Sequence, residues 1–252
     1  DKESKWALNQ SQGPRNCGLD YDNLCAQYYK YFWQNGIGVD VLDSRSDFED
    51  YKIVIAPLLY MFHNDIQQKM RNFVERGGIL LSTAFSGVVD ENDLCFLGEA
   101  TQEKLSDVLG MWVEETDALF DEEANETSWN QNTYKLKEIC EVIHTTTAEV
   151  LAVYGKDYYK GAPVITKNTY GVGTAYHIAA NCEDALIEDL CRQLVAEAQI
   201  TGILGDADTP DGIGICYREN ETKRYIFIGN FSDEAKCIDF SKSSGNEERA
   251  YV

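Results

Sequence analysis

Asp40, Asp43 and Asp47 follow a short apolar segment closely enough to serve as a phosphoacceptor cluster or to gather a cation. Asp is equally a standard turn residue, so the spacing by itself assigns no chemistry. A second candidate is Ser82-Thr83-Ala84-Phe85-Ser86-Gly87, at the end of an apolar run where an open α/β sheet commonly holds its nucleophile. It contains no Gly-x-Ser-x-Gly elbow, and no Cys lies between Cys25 and Cys95, so thiol chemistry lacks its nucleophile. A hydrolase pairing Ser82 or Ser86 with His63 or His177 stands as an alternative. The three histidines, His63, His144 and His177, share no metal-ligand spacing, and His177 in Ala175-Tyr176-His177-Ile178 reads as a satisfied core or edge residue. Gly36-Ile37-Gly38 and Gly171-Val172-Gly173 are fragments of nucleotide-loop patterns without Gly-x-Gly-x-x-Gly. Carboxylate pairs could be drawn anywhere among 43 acids. The expectation is a chain with no catalytic, cofactor-binding or metal residues of its own, and no cofactor.

The charge balance narrows the partners. With 22 basic and 43 acidic residues the net charge is −21, which repels phosphate backbones and anionic lipid heads, so neither nucleic acid nor membrane is expected. Glu114 to Glu126 holds seven acids and no base, a pattern that predicts a solvated loop or flap. Eight cysteines without a Cys-x-x-Cys pair in 252 residues read as free, mostly buried thiols, hence a reducing, cytoplasmic compartment. Apolar runs such as Ile53 to Tyr60 are strand-sized, too short to span a bilayer.

The elements that would position these residues are legible from periodicity. Asp20 caps a helix whose apolar face is Tyr21, Leu24, Cys25, Tyr28, Tyr29 and Phe32, and Gly36 stops it. Ile37–Leu42 and Tyr51–Ala56 read as strands. Asn64 with Gln67 resembles a capping box before the stripe Ile66, Met70, Phe73 and Val74, which Gly77-Gly78 ends. Ile79–Thr83 follows as a strand. This order predicts an α/β fold with a mostly parallel sheet flanked by helices. Further on come a short helix at Gln102–Leu109 and strands at Met111–Glu115, Lys135–Ile143 and Glu149–Tyr154. A hairpin joins Pro163–Lys167 to Thr174–Ile178, and a long helix covers Glu183–Ala198. Thr201–Gly212, with three Gly, three Asp and one Pro, is the best boundary. Beyond it, Ile213–Arg218, Arg224–Asn230 and Ala235–Phe240 have strand character and predict a small all-β domain.

Several blocks together resemble the domain that follows the barrel in family 42 β-galactosidases. They are Asp1-Lys2-Glu3-Ser4-Lys5-Trp6-Ala7-Leu8, Asn35-Gly36-Ile37-Gly38-Val39-Asp40, Tyr51 to Tyr60, Phe73-Val74-Glu75-Arg76-Gly77-Gly78, and above all Thr83-Ala84-Phe85-Ser86-Gly87-Val88-Val89-Asp90-Glu91-Asn92-Asp93. Tyr158 to Asn168 and Tyr170 to Tyr176 continue the likeness, which spans residues 1 to about 200. The resemblance implies a class I glutamine amidotransferase-like, flavodoxin-like domain at 1–203 without amidotransferase residues, one strand short at its start. It implies a small C-terminal β domain at 212–252. It also implies a parent enzyme that hydrolyses terminal β-D-galactose residues with retention, through two Glu residues in a barrel absent from this chain. This portion would support a homotrimer and shape the active-site mouth, with Asp1, Glu3 and Trp6 placed for interface or sugar contact. Asn92 and Asp93 read as a turn-locking pair. The remaining alternative is a stand-alone amidotransferase-like binding or scaffold protein.

Overall fold

A computed structural model describes residues 1–10, 19–63, 65–96, 105–203 and 209–239, and the backbone of 249–251. The chain divides into two compact units, Asp1–Cys25 with Leu42–Ile187, and Ala26–Val41 with Glu188–Val252.

The first unit opens with helix α1 (Lys2–Gln10), started by Asp1, whose Oδ1 accepts the Ser4 amide at 2.7 Å. Helix α2 (Tyr21–Gln34), of which Ala26–Gln34 belongs to the second unit, begins as its sequence predicts, the Asp20 carboxylate accepting the Asn23 amide at 3.0 Å. Its buried face is Leu24, Tyr28, Tyr31 and Phe32, whereas Tyr29 points outward. Strand β1 (Ile53–Ala56) leads to helix α3 (Ile66–Glu75), which buries Ile66, Met70, Phe73 and Val74, the predicted stripe. Asp65 stands at its N-cap without a side-chain cap, and Asn64 lies outside the described residues. Strand β2 (Ile79–Thr83) is buried at every position, as a central strand must be.

Helix α4 (Ser106–Leu109) and strands β3 (Met111–Ala118), β4 (Asn125–Trp129) and β5 (Asn132–Thr145) come next. They are followed by β6 (Glu149–Val153), β7 (Pro163–Tyr170), β8 (Gly173–Ile178) and β9 (Ala180–Cys182). The main sheet runs β1-β2-β8-β7-β6, parallel from β1 to β8 and antiparallel from β8 to β6. The expected hairpin is β7–β8. A second sheet, β3-β5-β4, also pairs β5 with β9. Its β4–β5 turn is set by Asn130 and Gln131, both at positive φ (48° and 69°), the backbone a two-residue hairpin requires.

Two expectations fail. The acidic run is not a free flap: much of it is β3 and the start of β4. Alternation lets strand carboxylates point outward to partners, with Tyr159 donating to Asp117 at 2.9 Å, Tyr158 donating to Glu115, and Lys156 pairing Glu126 at 2.8 Å. The segment expected as a strand at Ile37–Leu42 has no ladder; Val41 is 81% exposed, and β-propensity without a partner strand forms no sheet.

Gly171 and Gly173 have a structural role that their spacing disguises. The β7–β8 turn lies against the C-terminal end of α3, where Val172 N donates to Glu75 O (3.1 Å) and Thr174 N to Gly78 O (3.2 Å). A Cβ on Gly173 would fall 2.1 Å from Val74 O. Close backbone approach, not phosphate binding, calls for these glycines.

In the second unit, β10 (Ile213–Glu219) and β11 (Arg224–Asn230) form a hairpin, and β12 (Cys237–Asp239) pairs β13 (Arg249–Tyr251). Ile213, Ile215 and Ile238 make its small core, with Ile203 and Ile228 packed against it. Trp33 packs against Phe231, ring centroids 5.5 Å apart. Helix α5 (Asp184–Glu197) links the units in sequence and buries Leu186, Ile187, Leu190, Cys191 and Leu194.

Candidate functional site

In an open α/β sheet the place to look is the crest beyond the strand C-termini. Here that crest is filled by the chain itself. Beyond β1, Leu58, Leu59, Tyr60, Met61 and Phe62 are buried; beyond β2, so are Phe85 and Ser86. The two exits are sewn together: Gly87 N donates to Leu59 O (2.8 Å), Val88 N to Tyr60 O (2.9 Å) and Phe62 N to Val89 O (2.9 Å). The hydroxyls are used in the same seam. Thr83 Oγ1 accepts the Leu58 amide at 2.8 Å and Ser86 Oγ accepts the Leu59 amide at 3.1 Å. Ser82 and Ser86 are 3% and 1% exposed, so neither presents an oxygen to a substrate. This weighs against the serine-hydrolase alternative.

Phe85 stands at the elbow position, at φ 61°, with its amide donating to Glu141 Oε1 at 2.8 Å. Glu141 Oε2 lies 3.3 Å from His177 Nε2, and both side chains are fully buried. The expectation of a satisfied core histidine holds on one side only, because His177 Nδ1 has no hydrogen-bond partner. The periodicity did not single out Glu141, although one acid inside Ile139-Cys140-Glu141-Val142-Ile143 was a visible signal.

A second cluster lies beside this seam. Asp1 and Glu3, at the start of α1, approach His63, which ends the apolar segment after β1; their ligand atoms lie within 4.8 Å of one another. Ser44 donates to Asp1 Oδ2. Arg45 donates to Glu3 Oε1 at 2.6 Å and holds the Glu3 carboxyl below its ordinary range, burial opposing it. Ser4, fully buried, accepts the Met61 amide at 3.0 Å and so fixes α1 to the loop carrying His63. Sequence reasoning noticed Asp1, Glu3 and His63 separately but did not group them, because His63 is 62 residues away from Asp1 in a loop of no motif.

The remaining candidates are turn residues or surface groups. Asp43 and Asp47 accept the amides of Arg45 (3.0 Å) and Glu49 (3.1 Å), each two residues on. The turn expected at Asn92–Asp93 is anchored one step earlier: Asp90 Oδ1 accepts the amides of Asn92 (2.8 Å) and Leu94 (3.1 Å), and Asp93 takes φ 60°. His144 stacks on Trp112, 4.5 Å between centroids. Trp6 is 56% exposed. The seven described cysteines, Cys25, Cys95, Cys140, Cys182, Cys191, Cys216 and Cys237, are free thiols, and among the described residues no helix is long and apolar enough to cross a membrane.

Residues 1–201 match the family model described as the β-galactosidase trimerisation domain. The chain belongs to that family. Among curated relatives of this trimerisation-domain chain, β-galactosidase Pbg of Clostridium perfringens is 41% identical over 95% of the chain, and BglY of Alicyclobacillus acidocaldarius is 39% identical over 94%. The chain spans only 35% of the length of each. Among solved structures, the β-galactosidase from Rahnella sp. R3 superposes with a TM-score of 0.93 at 34% identity, covering 100% of this chain and 38% of that one. The enzyme from Bacillus circulans sp. alkalophilus gives 0.91 at 34% identity, over 100% of this chain and 39% of that chain. The sequence match thus confirms the family, and the superpositions confirm the α/β fold with its flanking helices and small later sheets.

Proposed function

We propose that this trimerisation-domain chain is the non-catalytic portion of a cytoplasmic β-galactosidase. The parent protein hydrolyses terminal non-reducing β-D-galactose residues with retention, using two carboxylates in a barrel outside this chain. Residues 1–203 act as an amidotransferase-like assembly domain and 212–252 as a small β domain. Together they support a homotrimer and shape the mouth of the active site, with Trp6 among the contact residues.

The observation that carries this reading is the closed crest. The position where a doubly wound sheet would hold a nucleophile is taken by buried Phe85, its amide tied to buried Glu141. A sheet with its usual ligand crevice filled by its own hydrogen-bonded loops is suited to positioning and burial rather than to turnover.

Two measurements test it. The 252-residue chain should release no chromophore from a chromogenic β-galactoside, while the product of the complete reading frame should do so and sediment as a trimer. Galactoside turnover by this chain alone would overturn the non-catalytic assignment. A monomeric, active full-length product would overturn the assembly role.

A further inference from the structure

We propose that Asp1, Glu3 and His63 form a binding site for a transition-metal dication, with Zn²⁺ the ion whose geometry they fit. The proposal is independent of the assembly reading, because it concerns side chains within one unit of this chain.

The starting point is two polar atoms without hydrogen bonds. His63 is 5% exposed, and its Nε2 has no hydrogen-bond partner; Glu3 Oε2 is also buried without one. Each such atom costs about 1–3 kcal/mol if left unmet. They face each other and Asp1: Nε2 lies 3.7 Å from Glu3 Oε2 and 3.5 Å from Asp1 Oδ2. Both separations exceed the hydrogen-bond range of about 2.7–3.2 Å.

Those distances suit a shared ion. Zn–N and Zn–O bonds of about 2.0–2.2 Å place neighbouring ligands of a tetrahedron about 3.3–3.6 Å apart. One observed separation falls in that interval and the other lies just above it. An imidazole nitrogen with two carboxylate oxygens suits Zn²⁺, whereas Mg²⁺ and Ca²⁺ favour oxygen alone.

The surroundings are those of held ligands. Asp1 is fixed by the Ser4 amide (2.7 Å) and by Ser44, and its side chain is 1% exposed. Glu3 is oriented by Arg45 through the oxygen that faces away from His63. Outer partners of this kind set ligand direction and keep the carboxylates charged. Three protein ligands leave the fourth tetrahedral position for water or an added ligand.

The test uses the 252-residue chain with its exposed thiols alkylated, stripped by chelator and titrated with Zn²⁺ in excess Mg²⁺, which suppresses adsorption to the acidic surface. One equivalent should bind and raise the melting temperature. Co²⁺ should give tetrahedral d–d absorption without thiolate charge transfer. His63→Gln and, at the partly exposed partner, Glu3→Gln should each weaken binding by more than about 100-fold, and Ser44→Ala by about 10–100-fold. The proposal is overturned if the wild-type chain takes up no stoichiometric Zn²⁺, or if neither His63→Gln nor Glu3→Gln changes its affinity. It is equally overturned if ¹⁵N spectra show His63 as an imidazolium with equimolar Zn²⁺ present, since the histidine would then be an ion-pair partner.

Discussion

His177 Nε2 lies 3.3 Å from Glu141 Oε2 between two side chains with no exposure to solvent, and the other Glu141 oxygen accepts the Phe85 amide at 2.8 Å. One carboxylate therefore joins β5 of the second sheet to β8 and to the loop after β2. Glu141→Ala should destabilise the fold by about 3–5 kcal/mol, because it leaves His177 and a buried amide without their partner. Glu141→Gln should cost less, as its amide oxygen can still accept from Phe85. Urea unfolding of the two variants and of a double-mutant cycle with His177→Ala measures this. A loss below about 1 kcal/mol for Glu141→Ala would show that the pair does not hold the sheets together.

The sequence displayed the elements more fully than the contacts between them. The α3 stripe and the β7–β8 hairpin follow from local periodicity, which depends on residues a few positions apart. Glu141 meeting His177, and Asp1 meeting His63, depend on topology, so no spacing could announce them. Ile37–Leu42 shows the converse: its residues favour a strand, but a strand needs a neighbour to pair with. The acidic run misled for a similar reason. Its repulsion was visible, while Tyr158, Tyr159 and Lys156, which relieve it, come from a later part of the chain.

The cysteines should divide by environment. Burial raises the thiols of Cys140 and Cys191 to about 12, whereas Cys95, Cys216 and Cys237 are exposed. Iodoacetamide at pH 8 with peptide mass mapping should label the exposed three and spare Cys140, Cys182 and Cys191. Because the folded-state values lie above the ordinary 9, the buried thiols stabilise the fold fully below pH 9. That contribution is lost as pH rises from about 9 towards 12. Cys191→Ala should therefore flatten the alkaline limb of stability against pH; an unchanged limb would assign alkaline unfolding to other groups.

Tyr154 is 1% exposed and its hydroxyl lies against two carbonyls, Glu141 O at 3.0 Å and Ala179 O at 2.7 Å. Tyr154→Phe keeps the ring and its edge contact with Tyr159 but leaves buried acceptors without that donor. A cost of about 1–3 kcal/mol in denaturant unfolding is expected. A neutral result would mean that those carbonyls are adequately met by their strand partners.

The glycines of the β7–β8 turn offer the sharpest choice between a fold reading and a ligand reading. If Gly171-Val172-Gly173 served a nucleotide, substitution would remove binding and spare stability. The structure requires the opposite, because a Cβ at Gly173 would meet Val74 O at 2.1 Å and Gly78 O at 2.5 Å, both backbone atoms that cannot swing aside. Gly173→Ala should cost at least about 1–3 kcal/mol, the range for overpacking. Gly38→Ala is the control, since nothing lies within 4 Å of its added methyl. Thermal unfolding of both variants decides the matter: equal melting temperatures would show that the hairpin and the end of α3 can separate at little cost, and that backbone contact does not explain the glycine.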